Sequence, residues 1–170
     1  MDVTWFVLTV VLGGAASDMS RGLIPNWLTA AGVVGGIGLH TVHGGLDGFL
    51  ASFAGLCLGI ALLIGLYVCG GMGAGDVKLM GAVGSCLGPL GVVHAALVTA
   101  VLGGMYALVL AYRRWGIRAT SRYIATWYLT ALLTSRAWPG AISDSPSPLV
   151  LRYGVAIALG TTLSLWWRGQ

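Results

Sequence analysis

Two aspartates stand out because of where they fall. The chain holds five acidic residues in 170, all of them Asp. Asp2, Asp47 and Asp144 fall in loops or near a terminus, where water explains them. Asp18 and Asp76 do not. Asp18 closes a long apolar stretch in "GGAASDMSRGLIPNWLT", and Asp76 follows the glycine run "GGMGAGDVKLM". A carboxylate at the edge of hydrocarbon is costly and marks a candidate functional site. Two carboxylates held a few Å apart resist joint ionisation, so one of them keeps a proton. Such a pair offers a base toward water and an acid toward a peptide carbonyl, the chemistry of an aspartic protease. Gly73 and Gly75 carry no side chain, which leaves room for an extended peptide beside the backbone. Alternatively, Asp18 pairs with Arg21 and Asp76 with Lys78, as simple anchors at the membrane surface.

The surrounding chain is that of an integral membrane protein. It is 57% hydrophobic and 8% charged, with a mean hydropathy of +0.88, against about 25% charged residues in an ordinary soluble domain. The formal net charge of +4 is explained by basic residues gathering on cytoplasmic loops, so no nucleic-acid partner is expected. The apolar start lacks a basic leading segment, so it is read as a retained span rather than a cleaved signal. Cys57, Cys69 and Cys86 are isolated and read as small packing residues, and no metal-binding spacing is present. No cofactor is expected.

Charged residues and breakers divide the chain into spans of about 3–17, 27–43, 48–69, 76–88, 90–112 and 149–167. The stretch 79–112 is uncharged and too long for one helix, and "GPLG" at 88–91 supplies its turn, because Pro89 cannot continue the helical hydrogen bonding. An even number of crossings there puts Lys78 on the same side as Arg113, Arg114, Arg118, Arg122 and Arg136, as the positive-inside rule wants. Arg21 and Arg152 join them, while Asp2, Asp47 and the amino terminus fall outside. Arg114, Arg118 and Arg122 recur every fourth residue and line one face of an interfacial helix. The expected fold is therefore all-α: a polytopic membrane bundle of about six transmembrane helices with a cytoplasmic interfacial helix, forming one domain over 1–170. Glycine pairs at Gly32/Gly36, Gly55/Gly59 and Gly84/Gly88 suit close helix approach in lipid. His40, His43 and His94 fall near the outer face, away from the aspartates, and read as hydrogen-bonded or interfacial groups.

The residues around the two aspartates resemble those of the type IV prepilin peptidases, a family of membrane aspartic proteases. Asp18 followed by Arg21, Ile24, Pro25 and Asn26 is similar to the family's first motif. Gly73, Gly75, Asp76 and Lys78 match its GxGDxK motif. A weaker likeness lies in "YGVAIALG" at 153–160, with Arg152 standing where relatives often carry Pro. The resemblance implies an endopeptidase of the inner (cytoplasmic) membrane. It would cut the leader of prepilins or pseudopilins at the cytoplasmic face, with Asp18 and Asp76 in the catalytic positions. The implied partners are a substrate with a short basic leader, a Gly at the cut and an apolar helix, together with membrane lipid. No oligomeric state follows. The chain lacks the extra cytoplasmic domain of the large bifunctional members, so methylation is not expected, and the short form is similar to the peptidases of tight-adherence (Tad/Flp) pili.

Physical roles are available for the neighbours. Pro25 stops the first helix from running on, Asn26 is a suitable N-cap for the second, and Arg21 and Lys78 suit phospholipid headgroups. The competing reading is a non-enzymatic transporter or pilus-assembly subunit in which the Asp pair relays protons. A relay needs acids distributed across the bilayer, and the second, third, fifth and sixth spans contain none.

Overall fold

A computed structural model describes residues 3–68, 72–133 and 152–168. Among them the chain is helical throughout, with no strand: α1 (Val3–Arg21), α2 (Asn26–Val68), α3 (Ala74–Leu133) and α4 (Tyr153–Arg168). Three helical stretches among the described residues are long and apolar enough to cross a membrane: Val3–Arg21, Asn26–Val68 and Ala74–Arg114. The chain forms two compact units, Met1–Gly103 with Arg152–Gln170, and Gly104–Leu151. Only the first carries the two aspartates.

The long helices are not single rods. Within α2, Gly45 leaves helical geometry at φ 57 and ψ −134. Just beyond it the chain doubles back, since a Cβ on Gly48 would fall on the His40 carbonyl oxygen. The two halves of α2 then run in opposite senses along α3. Gly32 and Gly36 lie beside Ala82 and then Ser85, whereas Gly55 and Gly59 lie beside Gly84 and then Met80. Gly88 adopts φ 69 ahead of Pro89 inside α3, a left-handed backbone that glycine reaches without the Cβ penalty. The chain reverses again there. Gly103 lies against the Tyr153 ring, and the adjoining Gly154 lies against Asp18. The expected turn within "GPLG" is thus a real break. A Cβ on Gly88 would point into open space, while its own carbonyl carbon lies 2.9 Å from where a Cβ on Gly55 would sit.

The other glycines of the expected pairs also allow close approach. A Cβ on Gly55 would strike the Gly84 carbonyl, and one on Gly59 would sit 2.5 Å from the Met80 oxygen. Lipid tails are as apolar as leucine, so such contact, rather than exclusion of water, holds helices together in a bilayer. Val7, Val11, Leu79, Met80, Val83, Val92 and Ile157 fill the interior. Outward stand Trp5, Leu12, Val34, Val42, Leu97, Val101 and Leu163, all exposed, while Ser52, Ser85, Thr99 and Thr161 are buried. Apolar side chains outside and hydroxyls inside is the pattern of a protein whose solvent is lipid.

Two expectations change in detail. The stretch 114–133 is helical as expected, but Gly116 takes φ 77 between Arg114 and Arg118. The backbone there is therefore not one uninterrupted helix. The last helix begins at Tyr153, and the earlier part of its expected range, 149–151, lies outside the described residues, as do Cys69, Arg136 and Asp144.

Candidate active site

Three helix ends and one turn build the site. α1 stops because Gly22, at φ 65, donates its N–H to the Asp18 carbonyl at 2.9 Å, a left-handed cap that satisfies an otherwise orphaned acceptor. The next residues are fastened by Ser17, whose hydroxyl donates to the Leu23 carbonyl at 2.9 Å. Asp18 therefore sits in the last turn of α1, buried at 7% exposure. Asp76 sits in the first turn of α3 at 6%. Its N–H donates to the Gly73 carbonyl, and its Oδ2 accepts from the Gly73 N–H at 3.1 Å. The two carboxylates are close enough to interact electrostatically. A Cβ on Gly14 would touch Leu79 at 3.0 Å, so α1 and the start of α3 pack side by side just below them.

Neither carboxylate forms an ion pair among the described residues. Lys78 turns away from Asp76, and its Nζ donates to Asn26 Oδ1 at 2.9 Å. This also corrects the expected role of Asn26. The cap position belongs to Pro25, whose carbonyl accepts from Leu28 at 3.1 Å and Thr29 at 3.4 Å. Asn26 is already the first helical residue, and its side chain spends its acceptor on Lys78. The contact spans 52 residues of chain and ties the start of α2 to the start of α3. Simple anchoring by Asp18–Arg21 and Asp76–Lys78 pairs is therefore not what the structure contains.

The two motif glycines differ. Gly73 is exposed, and a Cβ there would meet only Asp76 Oδ2 at 3.4 Å among side-chain atoms. Among the described residues there is open space beside Gly73. Beside Gly75 it is filled by Ile24, whose Cβ would lie 3.1 Å away. The bareness of Gly75 lets the turn before α2 press against α3.

α4 contributes a wall that the sequence reading left out of the site. Its Gly154 N–H donates to Asp18 Oδ2 at 3.1 Å. A Cβ on Gly154 would lie 2.9 Å from that same oxygen, so only glycine fits unless the carboxylate shifts. Arg152 donates to the Met19 carbonyl, fastening the entry of α4 to the end of α1. Tyr153, between them, is part-buried and near enough to feel the charge of Asp76. The available signal was the Tyr-Gly pair opening the last apolar helix. His40 and His43 stay away from the site, bonded to the carbonyls of Cys86 and Leu39.

A family model described as the type IV leader peptidase family matches residues 5–108. The chain belongs to the type IV leader peptidase family. No curated protein and no solved structure matches it. Membership makes the chain a protease of the leader-peptidase type, with prepilin-type substrates implied, and its apolar helices agree with a membrane peptidase. The matched region takes in both aspartates, the turn at 22–25 and the Asn26–Lys78 contact. It stops short of α4, so the Gly154 contact to Asp18 is a feature of this chain beyond the family match.

Proposed function

We propose that this leader peptidase is an aspartic endopeptidase in which Asp18 and Asp76 act as one dyad on a water molecule and the scissile carbonyl. The observation that carries the reading is the pair itself: two buried carboxylates from helices far apart in sequence, within electrostatic reach and without a cationic partner among the described residues. One carboxylate takes a proton from water as the water oxygen bonds to the carbonyl carbon. The other, protonated, donates to the carbonyl oxygen. Collapse of the tetrahedral species breaks the C–N bond, and the leaving amine takes up a proton from the dyad.

The chain crosses the membrane six times in this reading, with reversals at Gly45, Gly88 and in the stretches between the helices. The amino terminus is outside, and the dyad lies at the cytoplasmic face of the inner membrane. The substrate is an Flp-type prepilin with a basic leader, which the anionic cytoplasmic leaflet and the chain's own aspartates favour. Gly73 lies beside the extended segment to be cut. Peptidase activity without methylation is expected. Asp18→Asn and Asp76→Asn, each reconstituted with such a prepilin, test the reading. Both proteins insert and fold, and neither yields the shortened pilin.

A further inference from the structure

Tyr153 holds a hydroxyl that nothing in the dyad reading uses. Its ring is seated where Gly103 has no side chain: a Cβ there would lie 2.7 Å from the ring edge and 3.0 Å from the hydroxyl oxygen. The flanking residues fix the backbone on both sides, Arg152 through the Met19 carbonyl and Gly154 through Asp18 Oδ2. The ring is thus packed against α3, one residue before the glycine that touches Asp18. Its hydroxyl makes no hydrogen bond among the described residues, yet the ring lies within electrostatic reach of Asp76. A phenol is both donor and acceptor, and a part-buried one normally finds a partner. Held beside two carboxylates whose work is to add water to an amide, it is placed for an oxygen that arrives with the substrate.

We infer that Tyr153 is a further catalytic residue, whose hydroxyl donates a hydrogen bond to the scissile carbonyl oxygen as the tetrahedral intermediate forms. The inference rests on the dyad reading above and adds a second donor to it. In peptide hydrolysis the carbonyl oxygen gains negative charge when water adds, and a fixed donor there acts on the transition state more than on the bound substrate. The protonated member of the dyad supplies one donor. Tyr153 supplies another, at no cost in proton transfer, since the phenol keeps its proton. Gly154 acts with it as a positioning residue, because its N–H fixes the orientation of the Asp18 carboxylate against which the same oxygen must fit.

The experiment is Tyr153→Phe in the full chain, reconstituted in liposomes with a prepilin that has a basic leader, Gly at the cut and an apolar helix. Phe keeps the ring against Gly103 and removes only the hydroxyl. The expected result is a fall in kcat of about 100-fold, the scale seen when one oxyanion donor is removed, with KM and the thermal unfolding midpoint unchanged. A kcat within about threefold of the parent overturns the inference, since a 100-fold loss is what one donor supplies. A loss of activity that follows a loss of folding overturns it too, by making the residue structural. Asp18→Asn in parallel keeps the two readings apart. Cleavage by that variant removes the dyad itself, whereas an inactive Asp18→Asn beside a fully active Tyr153→Phe leaves the dyad standing and removes only the tyrosine.

Discussion

The two ends of the bundle solve opposite problems. At the end far from the aspartates, the chain reverses at Gly45 and at Gly88–Pro89, and the freed carbonyls need donors. Pro89 has no N–H to return to the Ser85 carbonyl. Ser52 Oγ donates to it instead at 2.7 Å, and His40 Nε2 bonds the Cys86 carbonyl at 2.7 Å. Asp76 and Gly88 are separated by about 18 Å of helix at 1.5 Å per residue. Across that distance the roles invert. There the Gly73 and Gly154 backbone N–H groups donate to the Asp76 and Asp18 carboxylates. At one end side chains complete the backbone, and the interior is closed. At the other the backbone orients side chains, one oxygen of each carboxylate is held, and acceptor capacity remains for water and substrate. The comparison teaches where a change should harm the fold and where it should harm only the reaction.

The largest effect at the far end should come from Gly84→Ala. The new methyl would land on the Gly55 carbonyl, with backbone on both sides and no flexible side chain to yield. A loss of more than about 4 kcal/mol, the range in which single substitutions unfold a protein, is expected. It would be read as failure to recover folded protein from detergent. Recovery of a stable, active protein would break the picture of a closed far end.

Ser52→Ala is the milder version. It leaves the buried Ser85 carbonyl without its donor, at a cost of about 1–3 kcal/mol. The unfolding midpoint should fall, while kcat of the protein that remains folded should match the parent. An unchanged midpoint with reduced kcat would reverse the division of labour between the two ends.

The smallest effect sharpens the dyad end. Asn26→Ala and Lys78→Met should each weaken the protein by about 1 kcal/mol or less, since the hydrogen bond they share is exposed. The double variant should cost no more than either single one, because they remove the same contact. Strict additivity would show that the contact contributes nothing and that Asn26 acts on its own helix after all.

The same comparison explains what could be read from sequence. Asp18 and Asp76 stood out because hydrocarbon leaves few reasons to keep a carboxylate, and Pro89 announced its turn because a missing N–H is a local property. Gly45 fell in the gap between the second and third apolar stretches for a similar reason. Asn26 was misread because cap preferences assume a side chain free to bond its own helix, whereas Lys78, distant in sequence, claims it. Gly75 and Gly154 look alike in sequence. Only the fold puts Ile24 against one and the Asp18 carboxylate against the other. The stretch 114–133 read as one helix, and a single left-handed Gly116 interrupts its backbone. What was legible depended on groups whose cost is set by the membrane or by their own backbone. What was not depended on which distant residue arrives.

The central claim is that Asp18 and Asp76 perform one reaction together. Single-turnover cleavage of a prepilin in liposomes by Asp18→Asn, Asp76→Asn and the double variant tests it most directly. The account predicts that each single variant loses at least roughly four orders of magnitude in rate and that the double variant is no slower than either, as for groups that act as a unit. Substantial cleavage by either single variant, or a double variant that loses the product of the two single effects, would contradict it.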